Sequence, residues 1–162
     1  MKTSTATPII RAAGEGEKRW FYGGGTHTWK VTTEETNGSL YLFEDEMTEG
    51  KMTPLHLHPD ADELTYVLEG EILMRMGDRE ERVGAGGVTM APRGTPHAFR
   101  VISPRARMLD VQSPGAGEAF YWGASVPATG DGEGPVDFEK LAEWAKKTGA
   151  VEILGPPPFA PH

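Results

Sequence analysis

The sequence predicts an all-β domain: a jelly-roll barrel followed by a short helix and a proline-rich tail. Short stretches of β-branched and aromatic residues, separated by glycine, proline, asparagine and aspartate, fill residues 18–112, which is typical of barrels and sandwiches. A helical pattern appears once, near the end of the chain. The 162 residues are 38% hydrophobic and 25% charged, as expected of one globular domain with its own core.

Ten strands are predicted along the barrel, each bounded by turn-forming residues. They are residues 20–22, 26–33, 39–43, 55–58, 64–68, 72–76, 81–83, 88–91, 98–102 and 108–111. The turn between the fifth and sixth strands, Glu69-Gly70-Glu71, is short enough to make a hairpin. Many short strands without intervening helices predict a barrel or jelly roll rather than an alternating β/α fold.

One helix is predicted at residues 138–145, where apolar side chains recur at i, i+3 and i+6. Asp137 is its expected N-cap, and Gly149 is its expected end. The prolines at 156–158 cannot continue a helix or a central strand, so the tail should lie extended along the body.

The predicted organisation has a single core. Residues 1–17 are expected to be a flexible N-terminal arm, and residues 18–127 the barrel. Residues 128–162 are expected to comprise a Gly/Asp-rich linker, the helix and the extended tail.

Charge and composition exclude several classes of partner and site. The formal net charge is −8, and such a surface repels nucleic acid and anionic lipid, so we expect neither nucleic acid nor a membrane as partner. Residues 1–11 lack the apolar core of a signal peptide, which favours a cytoplasmic location. The chain has no cysteine, so any metal must be held by nitrogen and oxygen ligands.

Two clusters of residues could together hold a metal ion. His56 and His58 stand two apart on a predicted strand, so their rings leave the same face. Glu63 follows after a turn, and His97 opens another predicted strand. Two imidazoles and a carboxylate converging across one hairpin suit one divalent transition metal, which could be Fe, Mn, Ni, Co or Zn.

The spacing of these residues resembles the two sequence motifs of the cupin superfamily. The matching patterns are Gly50-x5-His56-x-His58-x4-Glu63-x6-Gly70 and Gly86-x5-Pro92-x-Gly94-x2-His97, with Val101 where the second motif usually ends in Asn. The resemblance spans residues 20–112. It implies a cupin jelly-roll barrel, the double-stranded β-helix, with the three histidines and Glu63 as metal ligands.

Strand alternation predicts the lining of a substrate cavity beside these ligands. The inward residues share parity with Glu63 or His97, or lie on the strand between: Thr65, Val67, Met74, Met76, Phe99 and Val101. Apart from Thr65 this lining is apolar, and no inward Lys or Arg can be placed there. An apolar cavity beside an open metal position suits a planar small molecule with a chelating oxygen.

The ligand set and single-domain layout are similar to those of bacterial quercetin dioxygenase-like cupins. This resemblance implies a metal-dependent dioxygenase that cleaves a flavonol or a related enol-bearing aromatic with dioxygen, with Glu63 as metal ligand and catalytic base. Two alternatives remain open. One is a metal-dependent isomerase or decarboxylase that uses no oxygen, and the other is a non-catalytic cupin that binds a small molecule.

A homodimer is also expected. Trp20, Phe21, Tyr22 and Trp29 lie in early strands outside the metal motifs, where they would give apolar surface that one small barrel does not cover. Such barrels often protect their sheet edges by pairing with a partner.

Some conspicuous residues have simpler interpretations. His27 and His162 stand alone and are not expected to be ligands, while Asp62 is expected to be a turn residue, with metal ligation as the weaker alternative. The glycines at 23–25 precede no predicted helix, which argues against a phosphate site.

Overall fold

The structure, a computed structural model, describes residues 6–130 and 133–161. In this part of the chain, twelve strands and two helices are found. The strands are β1 (Glu17–Phe21), β2 (Thr26–Val31), β3 (Tyr41–Thr48), β4 (Leu55–Leu57), β5 (Asp62–Glu69), β6 (Glu71–Met76), β7 (Arg79–Gly84), β8 (Val88–Ala91), β9 (His97–Val101), β10 (Arg105–Ser113), β11 (Ser125–Pro127) and β12 (Glu152–Gly155); the helices are α1 (Glu118–Gly123) and α2 (Phe138–Thr148).

The strands form two antiparallel sheets packed against each other. The larger sheet has the order β11-β1-β2-β3-β10-β5-β8, and the smaller has the order β12-β4-β9-β6-β7. Side chains from both sheets meet in one apolar cluster, with Met47, Val67 and Met108 from the larger and Ile72 and Phe99 from the smaller. Each predicted strand overlaps one of β1–β10, and the predicted jelly-roll fold is confirmed.

The alternation of side chains along β5 is the one the sequence predicts. Glu63, Thr65 and Val67 are buried, whereas Leu64 and Tyr66 are exposed. Because successive side chains on a strand point to opposite faces, this parity sends Glu63 into the interior.

The interior contains two apolar clusters, one at each end. The first joins β1–β3 to the two helices and is mostly aromatic: Phe21, Trp29, Tyr41, Phe43, Phe120, Tyr121, Ala124, Leu141, Ala145 and Val151. The second fills the space between the sheets: Met47, Val67, Ile72, Met74, Phe99, Val101, Ala106 and Met108.

The predicted helix forms with the predicted ends. The side chain of Asp137 accepts a hydrogen bond from the backbone N–H of Lys140 at 3.1 Å, and Gly149 ends α2 in the left-handed conformation at φ 67°. None of the helices in the described residues is long and apolar enough to cross a bilayer.

Three elements were not predicted: α1, β11 and β12. Residues 152–155, directly before the prolines, form β12, which pairs with β4 and completes the smaller sheet. Beyond it, Phe159 stacks on Arg100, whose guanidinium donates to the carbonyl of Ala160 at 3.2 Å. This cover helps to bury Arg100, although Arg100 alternates along β9 with the inward His97, Phe99 and Val101.

Three of the four aromatic residues from which a homodimer was predicted are buried. Trp20, Phe21 and Trp29 are at most 9% exposed, and Tyr22 is half-buried. Phe21 and Trp29 pack with residues of α1 and α2, whereas the indole N–H of Trp20 donates to the carbonyl of Pro135 in the linker. The three buried side chains therefore do not supply the uncovered surface that the prediction required.

The N-terminal arm contacts the barrel where it is described. Arg11 pairs with Glu35 and donates to the carbonyl of Lys30, so its predicted flexibility stays a prediction. Residues 1–5 of the arm, residues 131–132 of the linker and His162 lie outside the described residues.

Candidate metal centre

Three elements bring the predicted ligands together. His56 lies in β4 and His58 directly after it, Glu63 lies at the start of β5, and His97 is the first residue of β9. One ligand atom from each of the four lies within 4.8 Å of all the others, and all four side chains are buried. Metal–nitrogen bonds of about 2.1 Å place opposed ligands roughly 4 Å apart, so the cluster could hold one metal ion.

Sheet pairing sets the distance between the two motifs. His56 and His97 are direct partners in the β4–β9 ladder, and their ring centroids lie 4.4 Å apart. His58, two residues beyond His56, points to the same side and lies 5.2 Å from the His97 ring.

Each histidine turns its Nδ1 towards a backbone carbonyl. The distances are 2.7 Å from His56 to Pro54, 3.4 Å from His58 to Ala150 and 2.8 Å from His97 to Thr95. Because a carbonyl only accepts, a neutral ring at His56 or His97 carries its proton on Nδ1 and leaves Nε2 as a lone-pair donor. Histidine ligands of metal sites are oriented in this way. The His58 contact is longer, and the amide nitrogen of Gln112 lies 3.3 Å from both of its ring nitrogens.

The carboxylate of Glu63 faces two of these Nε2 atoms. Oε1 lies 3.1 Å from His97 and Oε2 lies 3.0 Å from His58. A neutral imidazole has a single N–H and cannot donate to a carbonyl and a carboxylate together. A cation among the Nε2 atoms and Glu63 would remove this conflict, so the donor set fits a divalent metal.

The same geometry governs the pKa values in the cluster. Burial, reinforced by His97 and His58, lowers the pKa of His56 to about 3, so it is neutral at pH 7. Burial also lowers the pKa of His97, but its hydrogen bond to Glu63 and the charge of that carboxylate outweigh burial and raise it. For Glu63, burial raises the pKa, but His58 and His97 together bring it well below the usual value.

Two buried side chains that the sequence did not single out hold Glu63. The side-chain amide of Gln112 donates to Oε2 at 2.8 Å, and the hydroxyl of Tyr121 donates to the same atom at 3.4 Å. Gln112 comes from β10 and Tyr121 from α1. Parity with Asp110 and Met108 could have placed Gln112 inside, but no sequence signal connected Tyr121 with the cluster.

A cavity opens beside the cluster, with a volume of about 50 Å³. This is room for a few water molecules, so a ring-bearing ligand enters only if wall side chains move. The wall contains His56 and Glu63 of the cluster. Its apolar and aromatic side chains include Phe21, Phe43, Phe99, Met108, Phe120, Tyr121 and Leu141. Four further ionisable residues also lie on it: His27, Asp45, Lys51 and Asp110.

Of the six predicted pocket residues, Phe99 is on this wall. Val67, Met74 and Val101 pack in the apolar cluster between the sheets, with Met76 at its margin, and Thr65 is buried. Strand alternation predicts that a side chain points inward, but it does not tell whether that side chain contacts the cavity or other side chains of the core. A role for these five in substrate binding stays a prediction.

The structure also places the remaining conspicuous residues. Asp62, expected to be a turn residue, is the first residue of β5. It accepts from the backbone and side chain of Arg93 at 2.9 and 3.1 Å, which links the start of β5 to the turn that precedes β9. His27 is buried on the cavity wall between the rings of Phe21 and Phe43. Lys51, which follows the first motif glycine, is the inward cation that alternation failed to place.

Comparison with known proteins points to one family. The cupin domain family matches residues 43–112. Quercetin 2,3-dioxygenase of Bacillus subtilis is 28% identical over 116 residues, which are 72% of this chain and 34% of that enzyme. An uncharacterized protein of the same bacterium, YdbB, is 48% identical over 46 residues, 28% of this chain and 41% of that protein. The matched segments thus cover less than half the length of either relative.

Solved structures share the fold at low identity. KdgF from a Halomonas species superposes with a TM-score of 0.61 at 20% identity, covering 67% of this chain and 94% of that one. A predicted oxalate decarboxylase of Thermotoga maritima gives 0.59 at 18% identity, covering 66% and 99%. A sugar phosphate isomerase of Silicibacter pomeroyi gives 0.56 at 17% identity, covering 65% and 75%.

Proposed function

Because this chain is a cupin with a four-residue cluster that could hold a metal, we propose that it is a metal-dependent dioxygenase acting on an enol-bearing aromatic. The observation that carries the proposal is the arrangement of three Nε2 atoms and one carboxylate beside a cavity walled by aromatic rings. The likeness to quercetin 2,3-dioxygenase supports it. The small cavity favours a single-ring enol over a three-ring flavonol.

In this proposal His56, His58, Glu63 and His97 hold the metal. When bound, the metal supplies Lewis acidity at the substrate oxygen and a path for electrons towards dioxygen. Glu63 takes the proton of the enol hydroxyl as it arrives within about 3 Å. Gln112 and Tyr121 both donate to Oε2, so they orient the carboxylate and leave Oε1 as the more available base.

The aromatic wall orients a planar ring and excludes water from it. Phe21, Phe43, Phe99 and Phe120 all lie on the cavity wall. Aromatic rings pack against one another in stacked or edge-to-face arrangements, so a flat substrate is favoured over a branched aliphatic one. Excluded water also strengthens the attraction between the substrate oxyanion and nearby charges.

One observation favours a second candidate, an oxygen-independent decarboxylase or isomerase. Lys51 lies on the cavity wall, and an inward cation is the feature that an acidic substrate would need. Its pairing with Asp45 at 3.7 Å leaves less charge for such a substrate, which is why the dioxygenase is preferred.

Metal analysis and oxygen uptake test the proposal together. Protein purified without added metal is assayed for bound metal and then screened in an oxygen electrode against kojic acid, allomaltol and 3-hydroxyflavone. We expect near-stoichiometric metal and oxygen uptake that matches substrate loss, abolished by chelator and restored by metal. Substrate conversion without oxygen uptake would support the second candidate, and the same rate after chelation would exclude both.

A further inference from the structure

Beyond the metal cluster, four ionisable side chains gather on the wall of the same cavity. They are His27, Asp45, Lys51 and Asp110, which we call the polar pole. His27, Asp45 and Asp110 are at most 5% exposed, and the side chain of Lys51 is 6% exposed. Ionisable groups are seldom buried this deeply unless they are paired.

The pairing within the polar pole is incomplete. Asp45 Oδ2 lies 3.7 Å from Lys51 Nζ and 3.7 Å from His27 Nε2, both longer than a normal hydrogen bond. His27 Nδ1, Asp45 Oδ1 and Asp110 Oδ1 have no hydrogen-bond partner among the described residues. A buried polar atom left unpaired is costly to the fold, so these atoms are suited to a ligand's hydrogen bonds.

The glycines at 23–25 shape the wall at the pole. Gly25 has φ +103°, and a Cβ there would lie 2.6 Å from Oδ1 of Asp45; a Cβ on Gly24 would lie 3.3 Å from Cγ of Lys51. Any larger residue would therefore crowd the pole. Gly24 and Gly25 thus lie against two charged side chains of the pole.

Strand register gives the distance from the metal cluster. Glu63 pairs with Gln112, and Asp110 is the next inward residue of β10. Asp45 faces Met108, one further inward step along the strand. At about 3.4 Å per residue, Asp110 lies one step of roughly 7 Å from the level of Glu63, and Asp45 roughly 14 Å. One ring bound at the metal cluster would thus bring its far edge to Asp110.

The chemistry of the pole selects the group that binds. It offers acceptor oxygens on two carboxyls, one ring nitrogen and a single ammonium already shared with Asp45. Burial, together with the charges of Glu63 and Asp45, raises the pKa of Asp110 well above its usual value, so Asp45 is the charged carboxyl of the two. An anionic group would meet Asp45 at close range, whereas a hydroxyl can donate to a carboxyl oxygen and accept from Lys51. We propose that the polar pole is a binding subsite for a hydroxyl group of the ligand, at the edge opposite its metal-binding oxygens.

The inference rests on the proposed function only in that a ligand binds the metal cluster. The probes are kojic acid and allomaltol, which share the enol and ketone and differ in carrying a hydroxymethyl or a methyl group on the far edge of the ring. Binding is measured by calorimetry on Zn(II)-loaded protein, since redox-inactive Zn(II) allows no oxygenation. We expect kojic acid to bind about ten- to hundredfold more tightly, the range for a hydrogen bond to a charged group.

Two variants test whether the polar pole causes the tighter binding of kojic acid. Asp45→Asn with Lys51→Met removes the buried charges as a pair, so no unpaired charge remains, and Asp110→Asn alters the nearest carboxyl. Both should bind the two probes within about twofold of each other. Lys146→Met, on the exposed side of α2, is the matched control and should keep the preference. If the double variant does not fold, Asp110→Asn alone still tests the subsite.

Several outcomes would overturn the subsite. They are equal affinities in the unaltered protein, a kojic acid preference that survives both variants, and no binding of kojic acid at millimolar concentration. The proposed function fails separately: a preference for kojic acid without any oxygen uptake by iron- or manganese-loaded protein would support the subsite and reject the dioxygenase.

Discussion

At the scale of the residue, the two oxygens of Glu63 have different surroundings. Oε2 faces His58 Nε2 and accepts from Gln112 and Tyr121, whereas Oε1 faces only His97 Nε2 among the contacts in the described part of the chain. The sequence predicted one residue to serve as ligand and base without distinguishing these oxygens. In the proposed mechanism Oε2 is therefore the fixed oxygen and Oε1 the reactive one.

Glu63→Gln is expected to separate the two roles. The amide keeps the shape and one oxygen ligand but cannot take a proton, so metal content should stay near normal. Turnover should fall by roughly 10²–10⁴-fold, the range for general base catalysis. Metal content is measured by plasma emission and turnover by oxygen uptake. Parallel loss of both would make Glu63 a ligand only, and unchanged turnover would remove it from catalysis.

Gly117→Ala tests whether Gln112 positions the carboxylate. A Cβ on Gly117 would overlap Oε1 of Gln112, so the amide must shift from the position in which it donates to Glu63. Metal affinity should weaken by about 10–100-fold, as when groups supporting a ligand are lost. Gly84→Ala is the control, because a Cβ there meets nothing within 4 Å. Equal metal affinities for the two variants would show that Gln112 has no positioning role.

At the scale of the element, a charged contact ties the arm to the loop after β2. Both oxygens of Glu35 accept from Arg11, and Oε2 accepts from the backbone N–H of Thr32 at 2.9 Å. The hydrogen bond from Arg11 is the main reason that the pKa of Glu35 falls from 4.5 to about 2. A lowered carboxyl pKa gives stability that is present above the unfolded value and lost on acidification.

Glu35→Gln should therefore destabilise the protein fully above about pH 4.5, and its effect should fade between pH 4.5 and about 2. At pH 7 we expect a loss of about 0.5–1 kcal/mol, since the pair is partly exposed to water. The difference from the unaltered protein should shrink as pH falls from 4.5 towards 2. Urea unfolding across this range measures it, with the exposed Glu34→Gln as control. A difference that stayed constant with pH would contradict the predicted linkage.

Helix α2 is expected to be part of the core rather than a loose appendage. Leu141 is 3% exposed, packs in the aromatic cluster and reaches the cavity wall. Leu141→Ala should lower the free energy of unfolding by about 2–4 kcal/mol, through lost burial and the cavity it leaves. Leu154→Ala, at a residue 42% exposed, should stay within about 0.5 kcal/mol. Equal effects would mean that α2 is not packed as described.

At the scale of the whole molecule, the two sheets end differently. The smaller sheet ends at β7, whose Arg79, Glu80, Glu81 and Arg82 are exposed, and charged edges resist pairing. The larger sheet ends at β8, where four apolar side chains share its outer face. They are Leu64, Tyr66, Val88 and Met90, 40–58% exposed.

The homodimer stays a prediction, now on this face instead of the buried aromatic residues. A second copy could cover the apolar face of β5 and β8 through a two-fold axis, which brings the same patch together from both sides. Light scattering should give about twice 17.6 kDa, and Val88→Lys with Met90→Lys should return the single-chain mass. A mass of 17.6 kDa for the unaltered protein at every concentration would refute the dimer.

Periodicity and residue spacing predicted ten of the strands, helix α2 and the four residues of the metal cluster. The elements and residues that were missed were missed for physical reasons. Parity placed His56 and His58 on one side of their strand and Glu63 on the buried side of β5, because a strand has only two faces; β4 and β5 lie in different sheets, and the cluster forms between the sheets. It could not find Lys51, which lies in a loop, or Tyr121, which comes from the six-residue helix α1. Such a helix is too short to show a period, and its aromatic residues equally suit a strand. β12 was not predicted because the prolines that follow it indicated a tail outside the sheet.

The pairing of β12 with β4 also bears on the order of events during synthesis. All four residues of the metal cluster leave the ribosome before Ala150, whose carbonyl faces His58 Nδ1, and before β12, which covers the edge of β4. A domain generally folds as a unit, so this barrel is complete only once β12 has emerged. The nascent barrel therefore has a stage at which β4 is an open edge and His58 has one contact fewer. Metal loading is accordingly expected to be a late event, after translation has passed β12.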